Sequence, residues 1–101
     1  MTREVICRRD INKFGMQKQI LKAIEEMNEL SRALCRYLSE DRPRPATVVN
    51  VCEETADVTI MLEQLRMIFP ADQIDAWEKD KLLKLAARVG DANEESGEAK
   101  T

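Results

Sequence analysis

The chain has 101 residues, 16 Lys and Arg against 19 Asp and Glu, no His, and a net charge of −3. That length suits one domain with a modest core, and the acidic balance argues against a nucleic-acid binder driven by bulk positive charge. Three scattered cysteines with neither a Cys-x-x-Cys nor a histidine exclude a zinc site and read as reduced, small core residues of a cytoplasmic protein. The first residues form no signal peptide, and no apolar run reaches the length of a membrane span, so no membrane partner is expected.

Residues Arg3 to about Lys13 predict a short amphipathic helix with Val5, Ile6 and Ile11 as apolar contacts, ended by Gly15. A long helix follows from about Met16 to Ser39. Its stripe is Ile20, Ile24, Met27, Leu30, Leu34 and Leu38, with Ala23 and Ala33 allowing a neighbour to approach closely. Asp41-Arg42-Pro43-Arg44-Pro45 breaks it. A second long helix is expected from about Thr47, its N-cap, to Ile68. Val48, Val51, Cys52, Thr55, Val58, Leu62, Leu65 and Phe69 form its main stripe, and Ala56, Ile60 and Met61 lie partly off it. Apolar surface on more than one side predicts two packing neighbours or an oligomer.

A fourth helix is expected from about Gln73 to Val89, with Asp72 as N-cap, Gly90 as its close, and Ile74, Trp77, Leu82, Leu85 and Val89 facing inward. Trp77 reads as a packing anchor rather than a base-stacking platform. The polar tail 91–101 is expected to be disordered. The fold expectation is all-α: one domain over 1–90, a bundle of two long antiparallel helices plus two shorter ones, completed by oligomerisation.

The chemistry sits in two clusters, Glu25-Glu26-Met27-Asn28-Glu29 and Glu53-Glu54-Thr55-Ala56-Asp57. In a helix the first, second and fifth positions fall at about 0°, 100° and 40°, so each triplet fans over one side beside the apolar stripe. Such clustered charge is costly unless water or a divalent cation neutralises it. The pairs Glu26/Glu29 and Glu54/Asp57 would present four carboxylates to a magnesium ion, with Glu25 and Glu53 at the edges to complete a second site or position a water. A Glu-Glu-x-x-Glu string alone is usually a solvated face, as in Glu94-Glu95-Ser96-Gly97-Glu98 of the tail. Two matched clusters on neighbouring helices weigh more. Glu4, Glu40, Glu63 and Glu78 lack such partners and read as structural. A di-iron carboxylate bundle requires histidines and is excluded, as are an EF-hand, a phosphate-cradling glycine loop and a Ser-His-Asp set.

Ile24-Glu-Glu-Met-Asn-Glu-Leu30 followed by Glu53-Glu-Thr-Ala-Asp-Val58 resembles the MazG-type all-α nucleoside triphosphate pyrophosphohydrolases, whose pattern is Glu-Glu-x-x-Glu, a spacer, then Glu-x-x-Asp. The resemblance runs from Lys13 to about Val89, and Ile60 to Phe69 with Lys81 to Leu85 and Arg88 looks like small stand-alone members of phages and prophages. It implies hydrolysis of a nucleoside or deoxynucleoside triphosphate between the α and β phosphates, to monophosphate and pyrophosphate. It also implies Mg2+ as cofactor and a homodimer or homotetramer. By position, Glu26, Glu29, Glu54 and Asp57 would be magnesium ligands, and Glu25 or Glu53 would orient or deprotonate the attacking water. Lys81, Lys84 and Arg88, on one face of the fourth helix, are candidates for phosphate contact. Lys13, Lys18 and Lys22 are weaker candidates. The competing expectation is a non-catalytic helical scaffold of the same fold; a third is action on another pyrophosphate such as a phosphoribosyl-ATP intermediate.

Overall fold

The computed structural model describes residues 1–90, and the tail 91–101, with its own acidic string, lies outside them. Four helices follow in order: α1 Arg3–Phe14, α2 Met16–Ser39, α3 Pro45–Ile68 and α4 Ala71–Gly90. No strand occurs among the described residues. The chain divides into two compact units, one of residues 1–69 carrying α1 to α3 and one beginning at Pro70 and carrying α4.

Each helix boundary in the first unit has a local cause. The Thr2 hydroxyl accepts from the Val5 N–H at 3.1 Å and caps α1. Gly15 ends it at φ 96°, a conformation that glycine adopts without strain, and its N–H closes on the Ile11 carbonyl at 2.8 Å. The chain then turns straight into α2. After Ser39, residues 40–44 make the reversal.

The start of α3 differs from expectation. Thr47 is not the N-cap: Arg44 holds that position and Pro45 opens the helix, where a fixed φ and a missing N–H cost nothing. No side chain caps the first N–H groups of α3; Glu40 instead ties the reversal to the helix start. Its carboxylate accepts from the Arg44 N–H at 3.1 Å, from the Arg44 guanidinium at 3.3 Å and from the buried Thr47 hydroxyl at 2.9 Å. The Arg44 backbone N–H, then Thr47 and the Arg44 side chain, hold the Glu40 carboxyl below its ordinary 4.5.

α2 and α3 make the principal helix contact, and α1 packs on both. They run antiparallel: Glu40 meets Thr47, Glu29 meets Glu54, and Gln19 shares a cleft with Gln64. The seam is small and partly polar. From α2 it buries Gln19, Ala23, Glu26 and Ala33; from α3 it buries Thr47, Val58, Met61 and Gln64. Both sets lie largely one residue N-terminal of the predicted stripes, or about 100° around each helix. Ala23 and Ala33 carry almost no bulk, so the backbones close there.

The aliphatic stripes therefore stand largely outside the seam. Ile24, Met27, Leu34 and Leu38 on α2 are exposed, as are Val48 and Leu62 on α3 and Phe69 at its C-cap. Val5 and Ile6 of α1 are exposed too, whereas Cys7 is buried and Ile11 half-buried. Of the cysteines placed in the core by the sequence reading, Cys7 is there and Cys35 and Cys52 are exposed; all three are free thiols. In the second unit, α4 buries none of its residues. Its predicted inward face is exposed apart from half-buried Ile74, and the expected anchor Trp77 is 62% exposed. An amphipathic pattern announces an apolar face; it does not name what covers it.

Candidate metal centre and its flanking clefts

The closeness of α2 and α3 at Ala23 and Ala33 brings acidic side chains together between them. Glu26 and Glu29 stand one turn apart on α2, and Glu54 faces them from α3. One carboxylate oxygen from each lies within 4.8 Å of the other two. Glu26 is 8% exposed, and Glu29 and Glu54 are half-buried. The Oε1 atoms of both Glu26 and Glu54 are shut off from solvent and have no hydrogen-bond partner. Buried polar atoms are nearly always paired, and a charged one left alone is the most costly kind. Two such oxygens in one three-carboxylate group fit the donor set of a hard divalent cation.

The electrostatics agree. Burial, and then the charges of Glu29, Asp57, Glu26 and Glu53, push the Glu54 carboxyl above its ordinary 4.5. The other oxygen of Glu26 is met by Lys22, whose Nζ lies 3.3 Å from Glu26 Oε2 and 3.5 Å from Glu25 Oε1. The bond to Glu26, then the charge of Glu25, raise the Lys22 ammonium above its ordinary 10.5.

Three of the four expected ligands thus converge. Asp57, one turn beyond Glu54, is exposed; its charge reaches Glu54, but its carboxylate is outside the converging group. Glu25 sits at the edge, paired to Lys22, and Glu53 is exposed beside Glu54. Lys81, Lys84 and Arg88 lie on α4 in the other unit. There Lys81 stands 5.7 Å over the Trp77 ring and Lys84 pairs with Asp80 at 3.2 Å. Glu4 and Glu63, read as structural, pair with Arg8 and Arg3 respectively.

A cleft opens on either side of the carboxylates. Toward the C-terminal half of α2 is a polar one of about 300 Å³, lined by Glu29, Arg32, Ala33, Arg36, Asn50 and Glu54. Arg32 and Arg36 were not among the expected site residues; their spacing of three and seven from Glu29 keeps all three on one side of α2 and is their signal in the sequence. Toward α1 is a larger, mostly apolar cleft of about 520 Å³, walled by Phe14, Leu21, Ile60 and Met61. Lys18 and Lys22 enter it, and Gln64, 2% exposed, is fixed there by donating to Asp10 at 2.8 Å. Lys13 and Lys18 each stand 5.5 Å from the Phe14 ring centre.

No family model, curated protein or solved structure matches the chain. The residues of the site therefore carry the functional argument themselves.

Proposed function

We propose that this chain is a Mg2+-dependent pyrophosphohydrolase of MazG type. It would cleave nucleoside or deoxynucleoside triphosphates between the α and β phosphates, giving monophosphate and pyrophosphate. The observation that carries this reading is the pair of buried, partnerless oxygens of Glu26 and Glu54, set with Glu29 in one group. Solubility alone gives no reason to bury carboxylates against one another, whereas a cation that bridges a few carboxylates to phosphates does.

Glu26, Glu29 and Glu54 would hold the ion, with Asp57 adding charge from the next turn. Bound there, Mg2+ supplies charge neutralisation and polarises a phosphoryl oxygen. The chain's own part is positioning. Lys22 holds Glu26 in place through one oxygen and leaves the other for the site. Glu53, or Glu25 once freed from Lys22, orients the attacking water and takes its proton as the α–β anhydride opens and pyrophosphate leaves.

The exposed leucine stripes of α2 and α3 support the homodimer or homotetramer of this proposal, since side chains such as Leu38, 80% exposed, are left without cover. No helix among the described residues is long and apolar enough to cross a membrane. A cytoplasmic location belongs to the same proposal, in keeping with three unpaired thiols.

The test is pyrophosphate release from a panel of ribo- and deoxyribonucleoside triphosphates, with Mg2+ or with chelator, beside Glu29→Gln. Release that requires Mg2+ and is lost by at least about a hundredfold in the variant is expected. No release from any nucleotide favours the non-catalytic scaffold or a different pyrophosphate substrate.

A further inference from the structure

The polar cleft beside the carboxylates holds two cations with no evident structural task. Arg32 and Arg36 are four residues apart on α2, so their side chains project from the same side one turn apart. Both line the cleft of about 300 Å³ that Glu29 and Glu54 also line. Each lies within a turn or two of Glu29 along the helix, yet among the described residues neither guanidinium is taken up in an ion pair. By contrast Lys22, on the opposite flank, is fully engaged by Glu25 and Glu26. Half-buried Asn50 completes the cleft from α3 and brings an amide that can donate.

We propose that Arg32, Arg36 and Asn50 form the subsite for the pyrophosphate portion of the substrate, receiving the β and γ phosphates and holding the leaving pyrophosphate. The assignment rests on the pyrophosphohydrolase reading of the neighbouring carboxylates and goes further by fixing the direction of the substrate. Arginine forks match phosphate oxygens two at a time and stay charged at any working pH. In a chain of net charge −3 they set two positive charges beside the carboxylates, where a polyanion bridged to them by a cation needs partners. The ion held by Glu26, Glu29 and Glu54 would then lie between this cleft and the apolar one. That places the cleft walled by Phe14 and Met61 at the nucleoside end, where a flat apolar ring finds cover. Glu54 and Met61 are seven residues apart on α3, about 10 Å along its axis. A sugar and α-phosphate bridge such a gap.

The experiment is calorimetric titration of the full chain with inorganic pyrophosphate in Mg2+, and with a deoxynucleoside monophosphate as control, for the native protein, Arg32→Gln, Arg36→Gln and Arg36→Lys. Both arginines are exposed, so the variants are expected to keep the helical fold, which circular dichroism checks. Each glutamine variant should weaken pyrophosphate binding by about ten- to a hundredfold, with Arg36→Lys in between and monophosphate affinity unchanged. In turnover the same variants should raise KM more than they lower kcat. Unchanged pyrophosphate affinity in both glutamine variants would overturn the subsite. So would an equal loss of monophosphate affinity, which would put the nucleoside in this cleft. Arginine-dependent pyrophosphate binding in a chain that hydrolyses no triphosphate would keep the subsite and remove the hydrolase reading. Hydrolysis indifferent to both arginines would do the reverse.

Discussion

Glu54 shows how much one side chain is asked to bear. Its Oε1 is enclosed without a partner, and burial together with four neighbouring carboxylates raises its proton affinity. In the metal-free protein the folded chain then holds a proton that the unfolded chain releases. Its contribution to stability must fall as pH rises from the ordinary 4.5 through the raised folded value. Glu40 works in the opposite sense. Held below 4.5 by the Arg44 N–H and its other donors, it stabilises the fold above 4.5 and loses that contribution as pH falls through its lowered value. Urea midpoints taken in chelator should therefore decline as pH rises above the ordinary 4.5, and Glu54→Gln should flatten that decline and raise the midpoint at its upper end. Added Mg2+ should flatten it in the native protein alone. At this scale the sequence was informative about Glu26, Glu29 and Glu54, because matched spacing on two helices is a local property. It could not show that Asp57 stays outside the group, nor that Arg32 and Arg36 flank it, because those depend on how each helix is rotated about its own axis.

The rotation is settled at the scale of the helices. α2 and α3 were legible to within a few residues, and the reversal between them follows from Pro43 and Pro45. Their facing sides were not: the leucine stripe marks one face of α2, and the structure buries the face one residue earlier, with Gln19, Ala23, Glu26 and Ala33. Periodicity favours the leucine stripe, because it registers apolar side chains and not how closely two backbones can approach. The structure takes the face with Ala23 and Ala33, 1% and 2% exposed, whose small side chains permit a close approach. This choice is what buries Glu26 on the seam instead of leaving it beside one. Ala23→Leu should then be costly out of proportion to its conservative look. Overpacking a closed seam costs about 1–3 kcal/mol, and spreading α2 from α3 one turn from Glu26 should also weaken the response of thermal stability to Mg2+. A Leu at the exposed Ala56 is the control, and should change neither. The start of α3 also differs from expectation: a threonine two residues after proline resembles a cap, but Arg44 holds that position with no side-chain cap bond, and Thr47 donates its hydroxyl to Glu40 instead.

At the scale of the whole molecule, few side chains among the described residues are fully buried, and the buried apolar ones are Cys7, Ala23, Ala33, Val58 and Met61. Leu34 and Leu38 on α2, Val48 and Leu62 on α3 and Trp77 on α4 remain exposed. The all-helical class was evident from the absence of any alternating apolar pattern, whereas what covers these faces leaves no local mark in the sequence. The same economy shapes the site. A thin seam with two alanines admits three carboxylates, and the chain tolerates their mutual repulsion because, on the present account, a cation and a polyphosphate complete them. That claim is tested most directly by calorimetric titration of a triphosphate analogue with a non-hydrolysable α–β bridge, with and without Mg2+, against the native chain and Glu54→Gln. The account predicts binding by the native chain that requires Mg2+ and is lost in the variant. Binding that is indifferent to Mg2+ or to Glu54, or no binding at all, would contradict it.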